Sequence, residues 1–148
     1  MSAAPAPQPD YRAAIAHLPP GGTLSFQRVS WNEYEKLLDD IGSRCPARIS
    51  YDQGELEINM PLPIHEFFKE ILARLLYALA EELNLEIVGL GSTTFKHQDW
   101  LQGLEPDSCF YIQNTALVIG VRRFDPKSPP PPPDVAVEID ITSESLNR

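Results

Sequence analysis

Cysteine is scarce in this chain, long apolar runs are missing, and positive charge is outweighed by negative. Cys45 and Cys109 are the only cysteines, 64 positions apart and in no metal-ligand spacing. Buried, reduced thiols are therefore expected rather than a disulfide or a zinc site. No uninterrupted apolar stretch approaches the roughly 18 residues that a membrane span requires. The start, Met1 to Pro9, lacks the basic residues and apolar core of a secretory signal. These absences lead us to expect a cytoplasmic protein with no membrane partner. With 12 Lys and Arg against 21 Asp and Glu, the net charge of −9 argues against a protein that coats nucleic acid non-specifically. An enzyme that meets nucleic acid in one local groove remains compatible with it. There is no GxGxxG and no phosphate-binding P-loop, and His17, His65 and His97 have no nucleophile motif beside them.

What is present suits one domain. A chain of 148 residues with 43% hydrophobic content can build a single core. Residues 1–22 hold Pro5, Pro7, Pro9, Pro19 and Pro20 and are expected to form a flexible lead-in to a domain spanning 23–148. Ser30 and Glu33 form a capping box, Tyr34, Leu37, Leu38 and Ile41 follow at helical spacing, and Gly42 is a stop. Residues 47–51 and 55–60 flank Asp52-Gln53-Gly54 as a hairpin. From Ile64 to Leu83, the positions Ile64, Phe67, Phe68, Ile71, Leu72, Leu75, Leu76 and Leu79 trace one apolar helical face, with Lys69, Arg74, Glu81 and Glu82 away from it. This helix is expected to be the scaffold of the domain. Strands are expected near 85–90, 93–96 and 107–113, and residues 98–103 read as a loop. The five prolines from Pro129 to Pro133 suit a stiff spacer feeding a strand, ahead of a ligand for a proline-recognition module.

The most informative stretch follows those prolines. Val135, Val137, Ile139 and Ile141 alternate with Asp134, Ala136, Glu138 and Asp140, the period of a strand with one apolar face and one acidic face. Neighbours on one face of a strand lie roughly 6–7 Å apart, close enough to converge on one hard cation. The alternative is a solvated acidic face that binds nothing. Asp and Glu are poor strand formers, however, so three of them on one short strand call for a reason. Thr142 or Ser143 then looks like a helix cap, and a domain ending one turn into a helix, at Arg148, is expected to continue beyond it.

Three segments carry a resemblance: Pro61-Leu62-Pro63-Ile64-His65 opening the long helix, Gly103 to Ile112 around Pro106-Asp107, and Pro132 to Ser143 around Glu138-Ile139-Asp140. Over roughly residues 24–148 the chain resembles the PD-(D/E)xK nuclease superfamily. More narrowly, it resembles a bacterial family of restriction-endonuclease-like proteins once catalogued as a domain of unknown function. The resemblance implies an α/β (α+β) fold, with a mixed β-sheet flanked by helices and preceded by a helix and a β-hairpin. It implies that Asp107 and Glu138 bind Mg²⁺ or Mn²⁺, that DNA is the substrate, and that a homodimer is an option. It also brings His65 in as a site residue, against the alternative of a histidine of the helix's capping region. The superfamily lysine is replaced by Asp140, which shares a face with Glu138 and is a candidate third carboxylate. In this superfamily the lysine can instead come from the following helix, where Arg148 stands. Glu57 and Glu66 read as surface charges. Two functions stay open, a metal-dependent endonuclease and a nuclease-like fold that has lost catalysis and serves as a binding or assembly module.

Overall fold

A computed structural model of the chain describes residues 9–121, 124 and 130–141. Its elements run α1 (Tyr11–His17), β1 (Thr23–Phe26), α2 (Trp31–Ile41), β2 (Arg48–Asp52), β3 (Glu55–Asn59), α3 (Pro63–Glu82), β4 (Val88–Gly91), β5 (Phe95–His97), β6 (Gln102–Leu104), β7 (Ser108–Tyr111), α4 (Thr115–Val118) and β8 (Val135–Val137). They form a five-stranded sheet, β1-β3-β2-β6-β5, and a three-stranded sheet, β4-β7-β8. The fold is α+β. Among the described residues every strand pairing is antiparallel.

The first half follows local rules. Ser30 Oγ accepts the amide of Glu33 at 3.3 Å, and Glu33 accepts the amide of Ser30 at 2.8 Å, so both ends of the capping box are closed. Gly42, with φ of 62°, ends α2. The β2–β3 hairpin turns at Gln53 and Gly54, both at positive φ (46° and 102°). Alternation along β2 and β3 then buries Ile49, Tyr51, Leu56 and Ile58 with Trp31, Tyr34 and Leu37 of α2. The same alternation turns Arg48 to the opposite face. Gly103 of β6 lies so close to the Tyr34 hydroxyl that any side chain there would coincide with it. Part of the expected lead-in is helical: Asp10 caps α1 by accepting from Ala13 N at 3.0 Å, and Ile15 is buried.

Two short strands escape period-based detection. β1 and β6 have only four and three residues, too few to show alternation, and are strands because they pair with β3 and β2. β7 is buried along its whole length, since it is the central strand of its sheet. β8 covers only Val135–Val137 of the expected acidic strand, although half-buried Val135, Val137 and Ile139 still alternate with exposed Ala136, Glu138 and Asp140. The helix expected at Thr142 or Ser143, Arg148, and Pro129 of the proline run lie outside the described residues.

α3 has the expected extent, but the apolar face that its period picks out is not the one turned to the body. Residues on the body-facing side are His65 and Ala80, both buried, with Lys69, Ala73 and Leu76 half-buried. The apolar row Phe67, Leu75 and Leu79 points outward at 58%, 61% and 55% exposure. A 3.6-residue period identifies an apolar face but not what it faces. Here the contact to the body uses small residues, Glu66, which reaches Arg48 of β2, and Tyr77, whose ring meets Phe110 edge-on at 5.8 Å. Substituting Glu for both Leu75 and Leu79 should therefore change unfolding free energy by no more than about 0.5 kcal/mol each. Leu56→Ala, in the core, should cost about 2–5 kcal/mol. Chemical denaturation checks both, and a multi-kilocalorie loss from the α3 pair would show that this face is buried.

Candidate metal and phosphodiester site

The site is built where β7 starts and β8 ends. The β7–β8 register pairs Phe110 with Val135, Cys109 with Ala136 and Ser108 with Val137. Carried one step further, it sets Asp107 opposite Glu138. At that step the ladder gives way to a side chain: Asp107 Oδ2 accepts the amide of Ile139 at 2.8 Å. That bond explains why β8 stops at Val137. It also ties the Pro-Asp segment to the backbone between Glu138 and Asp140.

Asp107 is buried, with 7% of its surface exposed, whereas Glu138 and Asp140 are exposed. A buried carboxylate needs compensating charge or hydrogen bonds. Besides the Ile139 amide, Asp107 has Arg48, whose Nε lies 3.7 Å from Oδ1. Arg48 also reaches Glu66 Oε1 at 3.8 Å, and Glu66 pairs with Lys69 one turn along α3. A line of alternating charge, Lys69–Glu66–Arg48–Asp107, thus runs from the first turns of α3 to the start of β7. Sequence reading missed Arg48 altogether and assigned Glu66 to the surface. The one signal for Arg48 was its alternation with Ile49 and Tyr51, which predicts the opposite face but not what lies there.

Other candidate carboxylates and the thiols have local duties. Asp134, the first acidic residue of the stretch, accepts the amides of Ile112 and Gln113 at 2.6 and 3.0 Å. It closes the far end of β7 and is spent on that. The Tyr111 hydroxyl donates to Pro131 O at 2.8 Å, anchoring the proline segment that feeds β8. Burial first, then Cys109 and Asp134, push its pKa up to about 12, so the hydroxyl keeps its proton. Cys45 and Cys109 are free thiols, and burial raises the pKa of Cys109, away from nucleophilic use. A cavity of about 450 Å³ lies elsewhere, lined by Leu38, Cys45, Thr93 and Glu105 among others. None of the candidate ligands borders it.

His65 sits at the α3 end of the charge line. Its Nδ1 accepts the amide of Leu62 at 2.6 Å, so in this arrangement the ring's proton is on Nε2. The ring does what Glu or Gln does at the third helical position of a capping box, reaching back to the residue before the helix. Among the described residues no three His, Cys, Asp or Glu side chains converge on a common point. The carboxylates of Asp107 and Glu138 are hard oxygen donors of the type that a divalent ion such as Mg²⁺ or Mn²⁺ takes while keeping several of its waters.

Residues 31–148 match the sequence profile of the family described as "Uma2: Putative restriction endonuclease". The chain belongs to this family. The Uma2 match spans α2 through the Glu138-Ile139-Asp140 segment and so includes every candidate ligand. No curated protein and no solved structure matches the chain at a significant level. Among the described residues, no helix is long and apolar enough to cross a membrane.

His65→Ala should lower unfolding free energy by about 0.5–2 kcal/mol, the usual range for losing a helix N-terminal cap. His65→Gln should recover most of that, because Gln can reach the same amide. Thermal melts of the three proteins decide it. If Gln fails to rescue stability, the cap is not what the imidazole supplies.

Proposed function

We propose that this Uma2-family chain is a metal-dependent endonuclease that hydrolyses DNA phosphodiester bonds, with Asp107 and Glu138 as ligands of Mg²⁺ or Mn²⁺. Asp140, two residues on along the same exposed face, is the candidate third carboxylate. The observation that carries the proposal is the Asp107 Oδ2 bond to the Ile139 amide, which holds the two acidic segments side by side. When bound, the ion lowers the pKa of a coordinated water and offsets charge building on the phosphate oxygens. This chain's own residues do the positioning. The Ile139 amide fixes one oxygen of Asp107, the register brings Glu138 alongside, and the cap made by His65 sets where α3 begins. A cytoplasmic setting is part of this reading, and the free thiols suit it. A homodimer would let two such sites act on the two strands of one duplex.

Asp140 in the lysine position supports the rival reading, a nuclease-fold module without catalysis, and the same experiment separates the two. Asp107→Asn keeps an acceptor for the Ile139 amide while removing the charge, and Glu138→Gln does likewise at the exposed position. Each should weaken Mn²⁺ binding in calorimetry by about 100-fold or more, the upper range for damage to a ligand sphere. Each should also abolish Mn²⁺-dependent nicking of supercoiled plasmid, with far-UV circular dichroism unchanged. Mn²⁺ binding by the parent without nicking would favour the non-catalytic module. Unchanged binding in both variants would remove these residues from the metal site.

A further inference from the structure

Arg48 is held between two carboxylates and bonded well to neither. Its distances of 3.7 Å to Asp107 and 3.8 Å to Glu66 exceed hydrogen-bonding range, and its contact with Pro46 O is long at 3.4 Å. Nε is buried and makes no hydrogen bond among the described residues. A structural arginine–carboxylate pair normally closes to about 2.7–2.9 Å, often with two parallel bonds. A buried charged N–H without an acceptor is unfavourable, so this arrangement is balanced rather than locked. Glu66 is in turn shared with Lys69, which weakens its hold on Arg48.

We infer that Arg48 is a displaceable counter-ion of the site: it neutralises Asp107 when no divalent cation is bound, and it competes with that cation for the carboxylate. The inference rests on the proposal that Asp107 is a metal ligand. Its physical basis is like-charge repulsion. A divalent ion on Asp107 would stand near a guanidinium whose charge cannot be lost by deprotonation, so Arg48 has to move for the ion to bind. Glu66 supplies the second place to which Arg48 moves. Arg48 is accordingly a positioning residue, acting on metal affinity through Asp107.

The test is Mn²⁺ titration calorimetry on the whole chain, comparing the parent with Arg48→Met, Glu66→Gln and the double variant. Met keeps much of the apolar stem of Arg48 without the charge. Arg48→Met should bind Mn²⁺ roughly tenfold tighter than the parent, since one competing charge is removed. Glu66→Gln should bind several-fold more weakly, on the order of 3-fold, because Arg48 then settles on Asp107. In the Arg48→Met background the Glu66 change should have no effect, which separates a role through Arg48 from direct ligation by Glu66. A purely structural Arg48 would lower stability without tightening metal binding. Glu66 is 55% exposed at its side chain, so Glu66→Gln leaves the fold intact even if Arg48→Met does not. An unchanged affinity in that variant alone overturns the inference. Equal affinity of parent and Arg48→Met overturns it too, and leaves the metal proposal standing. Absence of binding in every variant overturns the metal proposal, and this inference with it.

Discussion

The bond between the Asp107 carboxylate and the Ile139 amide organises the second half of this protein. It ends one strand, aligns the acidic segment after β8 with the start of β7, and fixes the direction in which the remaining oxygen of Asp107 points. That oxygen faces Arg48, and through Arg48 the site is coupled to the β2–β3 hairpin and to the first turns of α3. A single buried carboxylate thereby gathers parts of the chain that lie as far apart as residues 48 and 139. Without that carboxylate's charge, the largely covered guanidinium of Arg48 would lose one of the two carboxylates it lies between, a costly change in a low-dielectric setting.

Backbone needs and chemical needs compete for the same side chains here. At one end of β7 Asp134 accepts the amides of Ile112 and Gln113, and at the other one oxygen of Asp107 is spent on Ile139. Glu138 and Asp140 stay on the exposed face. The acidic stretch around β8 therefore divides its labour: Asp134 closes the far end of β7, and Glu138 and Asp140 follow β8 on the side of the start of β7, where Asp107 lies. His65 shows the same economy. Its imidazole takes the amide of Leu62 and so sets the start of α3, whose next residue, Glu66, joins the charge line.

The parts of this arrangement that are local in sequence could be read from it. The Ser30–Glu33 capping box, the Gln53-Gly54 turn and the extent of α3 each depend on residues within a few positions of one another. The Pro-Asp and Glu-x-Asp segments were legible through family resemblance, and the family match over 31–148 agrees with it. The rest depends on contacts that no local pattern encodes. The period of α3 gives an apolar face, but its orientation comes from Tyr77 meeting Phe110 and Arg48 meeting Glu66. β1 and β6 are strands only by virtue of their partners. Arg48 sits more than fifty residues before Asp107, and only the tertiary fold brings them together.

The central claim is that Asp107 and Glu138 share one divalent cation. The most direct measurement is anomalous scattering from crystals of the full chain grown with Mn²⁺. The account predicts one peak within about 2.0–2.6 Å of a carboxylate oxygen of both Asp107 and Glu138. A peak that touches neither residue, or the two carboxylates on opposite faces of the β4-β7-β8 sheet, would contradict it.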